Sequence, residues 1–274
     1  QKIILEIFLH RVHLYHGIAD RRTGSEADAA PAGTDWNTQR ITVVGTGVPP
    51  AGAYGAQARI MARRAAQADA YRQLAEVVKG VQVDANTTVE MAMVQSDTVN
   101  LQVSAVIRGA KIVAENVASD GAYEITMELS MFGANNSLAA AVIERPVQVE
   151  PIPAPPVTTN INININGGYT GLIIDCRGFR VNPVMSPVIK NANGQKIYGH
   201  QNLDYDKVIE YGMASYADSM SQAFRAGSNP LIIKAIDVED FNANPVVSMQ
   251  DAELILSENQ ISKFLENTAV VFLY

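Results

Sequence analysis

Residues 54–79, YGAQARIMARRAAQADAYRQLAEVVK, carry the longest helical pattern in the chain, and their reading decides the fold of its first half. Ile60, Ala68, Tyr71, Leu74, Ala75 and Val78 gather largely on one face, with Arg63, Arg64, Arg72 and Glu76 elsewhere. Ala58, Ala62, Ala65 and Ala66 are small enough to let the helix lie close to a sheet, and Gly80 suits the residue just past its end. Upstream, residues 40–44 (RITVV) read as a strand closing in a glycine-rich turn, Gly45-Thr46-Gly47. Downstream, residues 81–94, 101–107, 110–117 and 123–131 alternate in the manner of strands; Tyr123, Ile125, Met127, Leu129 and Met131 share one face. One helix over an antiparallel sheet satisfies all of these patterns, so residues 39–133 are expected to form an α+β domain.

Outward from that domain the character changes. Residues 1–38 read as an arm. It begins with an apolar strand, in which Ile3, Leu5, Ile7 and Leu9 share a face, and continues as a polar stretch without periodicity. Glu6, His10, Arg11 and His13 interrupt the apolar run, so it lacks the unbroken centre and cleavage site of a secretory signal. Residues 134–167 form a boundary. A short helix over 137–144 gives way to Pro146, Pro151, Pro153, Pro155 and Pro156, which favour an extended, stiff linker. The linker ends in NINININ (160–166), where Ile161, Ile163 and Ile165 alternate with asparagines. This is either an ordinary edge strand or an amide ladder between stacked strands.

Residues 168–274 read as a mixed α/β domain. Strands are expected at 169–177, 230–238 and 269–273, and a hairpin over 188–198 turns at Asn193-Gly194. Asp204 caps a helix predicted to run past Tyr211 towards Phe224, and Ser248 opens a capping box.

The 274 residues carry 28 acidic and 21 basic side chains, a net charge of −7. This balance argues against a generic nucleic-acid binder or attraction to an anionic membrane surface. No apolar run is long enough for a transmembrane helix. One cysteine, Cys176, leaves no internal disulfide and no cysteine-built metal site.

Several residues invite chemistry. The Gly-Thr-Gly run imitates a dinucleotide fingerprint, but Pro50 stands where its third glycine belongs. His10, His13 and His16 would suit Zn²⁺ or Cu²⁺ on a helix; on a strand His13 faces away, leaving a solvated or interface cluster. Asp240, Asn242 and Asn244 have the alternate spacing of a calcium loop, but Pro245 replaces the required glycine, so a polar strand-to-helix loop competes with a weak Ca²⁺ site. No catalytic set accompanies His200 or Cys176. Asp175 and Arg177 suit a buried structural ion pair better than a ligand site.

Taken together, Val44-Gly45-Thr46-Gly47, Ala62-Arg63-Arg64-Ala65-Ala66, Asp69 to Glu76, Gly80-Val81 and Val83 resemble a family of the bacterial envelope. That family includes small outer-membrane lipoproteins and the N-terminal domain of flagellar assembly protein T. Arg108-Gly109-Ala110, Val113, Asp120-Gly121 and Tyr123-Glu124-Ile125 continue the likeness, which spans about residues 40–133. Gly171 to Asp175, Pro187 and the hairpin to Gly199 are similar to a C-terminal part of longer relatives. The resemblance implies an exported, non-enzymatic part of an envelope or flagellar structure, with no cofactor and no catalytic residues to carry over. Residue 1 is Gln rather than the acylated cysteine of a lipoprotein. The function expected is a structural or assembly subunit of the envelope or an extracellular polymer. It would associate with copies of itself, and with other envelope proteins, through Ile3, Leu5, Ile7, Leu9, Ile161, Ile163 and Ile165. The alternative is a metal- or ligand-binding envelope protein using the histidine cluster or the Asp240 loop.

Overall fold

The computed structural model describes residues 33–155 and 165–274. The first half is a four-stranded antiparallel sheet, made of β1 (Gly33–Asp35), β2 (Arg40–Gly47), β3 (Lys111–Val117) and β4 (Tyr123–Ser130) in the order β1-β2-β4-β3. Across one face lies α1 (Gly55–Gly80). The class is α+β, with the long helix on the sheet as the sequence implies.

What holds α1 down is a stripe of small residues. Ala62, Ala66, Ala70, Leu74 and Val78, spaced by four, are wholly buried, whereas Ile60 is left half exposed. The helix therefore rolls away from the face with its bulkiest early side chain. Gly45 and Gly47 explain why: a Cβ on Gly45 would lie 2.3 Å from the Ala66 carbonyl oxygen, and one on Gly47 would lie 2.2 Å from that of Ala62. The Gly-Thr-Gly run is thus not a turn but the end of β2, where helix and strand backbones come closest. Asp69 pins the same junction, accepting from the Thr46 N–H at 3.0 Å and the Gln73 amide at 2.8 Å, while Gln73 also donates to the Val44 carbonyl. Gly80 is the last helical residue, with Val81 as the cap.

Two expected strands are helices. Residues 81–94 and 101–107 contribute α2 (Val89–Gln95) and α3 (Asp97–Arg108), capped by Thr88 and Ser96, whose hydroxyls accept the N–H of Met91 and Val99. Leu101, Val103, Ala105 and Ile107 do alternate, but Val99, Val103 and Val106 also satisfy the helical period. With Ser96 as a cap the helix wins: Val103 is buried and Leu101 is exposed. The edge strand β3 carries a bulge at Val113 and is fixed by Glu115, whose carboxylate takes the Arg63 guanidinium at 2.5 Å and the Tyr123 hydroxyl at 2.6 Å.

Two further four-stranded sheets make up the second half. In one, β5 (Gly171–Asp175), β8 (Ser215–Ala217), β9 (Pro230–Lys234) and β12 (Val270–Leu273) pair in parallel in the order β8-β12-β5-β9. The other is mixed. Its strands β6 (Ile189–Asn191), β7 (Lys196–Tyr198), β10 (Asp237–Glu239) and β11 (Asn244–Val247) follow the order β10-β11-β6-β7. The hairpin turns at Gly194, in the left-handed region (φ 75°). Between α4 (Leu138–Val142) and α6 (Met249–Ser262), the helix capped by Asp204 is only α5 (Tyr205–Tyr211). Gly212, at φ 75°, stops it, and residues 215–217 become β8. Arg225, largely buried, seals that end by donating to the carbonyls of Tyr211, Gly212 and Thr268.

The halves share one core. Met185 and Ser186 N–H groups donate to Gln82 and Val83 carbonyls at 3.0 and 2.7 Å, Gly133 donates to Ile209 at 2.9 Å, and Trp36 meets Tyr216 edge-to-face. The described part of the proline-rich stretch is strapped to the second half through Glu150 N–H to the Gln201 carbonyl and Asn202 to the Pro151 carbonyl.

Candidate functional site

The isoleucine-rich linker meets the folded body at an unusual anchor. Glu258 on α6 has no solvent exposure. Its Oε1 accepts the Asn166 N–H at 2.6 Å and its Oε2 the Gly167 N–H at 2.8 Å. Gly167, at φ 65°, makes the bend this requires. A buried carboxylate is costly unless its lone pairs are used, and here both oxygens hold backbone donors at the point where the linker leaves. Ile165 is half exposed there, as is Ile261 on α6, which lies against Gly167. Ile3, Leu5, Ile7, Leu9, Ile161 and Ile163 lie outside the described residues, as do His10, His13 and His16.

The Asp240 loop is built differently from a cation cradle. Its carboxylate accepts from Lys190 at 2.5 Å and from the Asn244 amide at 2.7 Å, and these contacts hold it below the ordinary carboxylate range. Asn182 closes the loop from outside, bonding the Phe241 and Asn242 carbonyls. Asp240, Phe241 and Asn242 are three consecutive non-glycine residues in the left-handed region, with φ of 52°, 57° and 66°. Among the described residues no three His, Cys, Asp or Glu side chains gather as a metal site.

His200 sits in a cleft of about 630 Å³ on the seam between the halves, with its Nδ1 3.3 Å from the Ser186 Oγ. Burial and Lys196 push the imidazole below its ordinary value, against the pull of Asp84 and Glu144. No carboxylate hydrogen-bonds that ring among the described residues, so the pair lacks the orienting acid of a nucleophilic triad. Cys176 is wholly enclosed and its thiol is pushed up to about 12 by burial, which leaves it a poor nucleophile. Asp175 and Arg177 do pair, at 2.6 Å, but on the surface. The strand ends at Asp175, so the pair falls at the open end of the sheet rather than inside it.

Two further openings flank these features, one larger and one smaller than the His200 cleft. One, of about 740 Å³, runs between α3, α4 and the end of the first sheet, with Arg40, Glu128 and Lys111 at its margin. The other, of about 520 Å³, lies between Trp36, Val77 and Gln82 on one side and Asn182, Pro183 and Phe241 on the other. Neither Glu258 nor Phe241 stands out in sequence reasoning. Glu258 does sit three residues after Ile255 on the buried side of α6, where an acid needs a partner, and Phe241 is an aromatic inside a polar loop.

Residues 38–130 match the family model described as LPP20 lipoprotein, and residues 171–274 match the second domain of Treponema pallidum Tp0624. Neither match reaches half of the chain. Among curated proteins no match is found. The first half is thus similar to a lipoprotein family, and the second half to a domain of a Treponema pallidum protein. The narrower likeness to flagellar assembly protein T rests on the residues alone. No helix among the described residues is long and apolar enough to cross a membrane.

Proposed function

We propose that the protein is an exported, envelope-associated subunit without enzymatic activity, whose work is to hold copies of itself, and other envelope proteins, in an assembly. The likeness of its first half to a lipoprotein family supports the location. The assembly role is carried by one observation: a fully buried carboxylate, Glu258, is committed to the two backbone N–H groups at the root of the NINININ segment. Fixing the departure point of a segment with one apolar face reduces the entropy lost when that face finds a partner. The polar groups of the seam, including His200 and Ser186, serve packing between the halves rather than chemistry.

The deciding experiment combines light scattering with electron microscopy on the full chain and on an Ile161→Asn, Ile163→Asn, Ile165→Asn triple variant. Multimers in the parent that dissociate in the triple variant, with circular dichroism unchanged, are the expected outcome. A parent that stays monomeric across its soluble concentration range overturns the assembly role. Cell fractionation checks the location separately, and recovery in the cytoplasmic fraction overturns that part.

A further inference from the structure

Phe241 is 74% exposed on a loop that Lys190, Asn244 and Asn182 hold in place. Asp240 is held by Lys190 and Asn244, and Asn182 ties down the Phe241 and Asn242 carbonyls. Asp240 and Asn242 are residue types that tolerate the left-handed region, whereas Phe241 between them, at φ 57°, bears the cost of its Cβ there. The turn holds the Phe241 ring at the mouth of the cleft of about 520 Å³. Across the cleft stands Trp36, the single tryptophan of the chain, itself backed edge-to-face by Tyr216.

The polar groups of the cleft define what enters it. The Glu76 carboxylate is already paired with Arg72 at 2.8 Å, so no uncompensated negative charge awaits a cation between the rings. The Thr34 and Gln82 side chains line the same cleft and make no hydrogen bond among the described residues. Two aromatic walls with a free hydroxyl and a free amide suit a neutral ligand that has an apolar face and a rim of hydroxyls. We propose that the cleft between Trp36 and Phe241 binds the pyranose ring of a neutral oligosaccharide. The ring's C–H face stacks on the aromatic walls, and its hydroxyls bond Thr34 and Gln82. This site is independent of the assembly role proposed above.

Trp36 supplies the readout, because all tryptophan emission comes from it. The full chain is titrated with tri-N-acetylglucosamine and with cellotriose, following that emission. A saturable change with either sugar is expected, weakened about tenfold in Phe241→Ala, which is the loss of one stacked ring. Phe241 lies on the surface, so this variant should keep the parent's thermal midpoint; Gln82→Ala provides a second, separately folded check. Absence of a saturable change with both sugars overturns the proposal. So does equal binding by Phe241→Ala, or saturation by tetramethylammonium instead of either sugar.

Discussion

The Asn166 N–H reaches the Glu258 Oε1 at 2.6 Å, inside a region from which Glu258 is wholly shielded from solvent. The relationship joins a linker to a helix 92 positions away and makes one acidic side chain answerable for where the linker begins. Glu258→Ala strands two backbone donors and should cost about 2–4 kcal/mol in urea unfolding. Glu258→Gln keeps one acceptor and should cost less. Equal, negligible losses in both variants would remove the anchor from any account of assembly.

The contact between α1 and β2 predicts opposite effects for two glycine-to-alanine changes. Gly45→Ala drives a methyl group into helix backbone and should cost at least about 3 kcal/mol. Gly80→Ala meets nothing within 4 Å at a helical position and should be neutral or stabilise by about 0.5 kcal/mol. Chemical denaturation of the pair measures the difference.

Phe241→Gly should raise stability by about 1 kcal/mol, because glycine adopts φ 57° without a Cβ penalty and the lost ring is mostly exposed. Thermal unfolding of the variant checks this. The same change should weaken sugar-dependent Trp36 emission about tenfold, as Phe241→Ala does, a stability gained at the expense of recognition.

His200 gives a pH dependence of known sign. Burial lowers its folded-state value below the ordinary 6.5, so the unfolded chain takes up the proton more readily. Its stabilising contribution is complete above the unfolded value and is lost as pH falls through the folded one. Melting temperature should therefore decline on acidification through this window, and His200→Gln should flatten that part of the curve.

Glu115 acts at a lower pH. The Arg63 guanidinium and the Tyr123 hydroxyl hold its carboxyl down to about 2 from 4.5. The tie between α1 and β3 is thus complete above about pH 4.5 and is lost as pH falls through about 2. Glu115→Gln should remove this acid-dependent portion of the melting curve.

The outline of the first half was legible in the length of α1 and the alternation of β4, although only Leu74 and Val78 of the face expected for α1 are buried, and the second half was legible because Asp204, Ser248 and Gly194 announce their caps and turn. Residues 101–107 misled because an alternating run can also satisfy a helix, and a cap at Ser96 decides between them from outside the run. Ile60 misled because hydrophobicity ranks side chains by size, whereas a helix lying on Gly45 and Gly47 selects for smallness. The Asp240 spacing was visible, but its meaning depended on Lys190, fifty positions earlier and on another strand. The Glu258 anchor was hidden for the same reason, since its partners are backbone groups that no side-chain pattern marks.

The hydrogen bonds from Met185 and Ser186 to Gln82 and Val83, with that from Gly133 to Ile209, have a mechanical consequence. Halves stitched at separate points resist swinging about a hinge, so the Glu258 anchor and the Trp36 cleft belong to one compact body. Two objects held at those places would be kept at a fixed spacing.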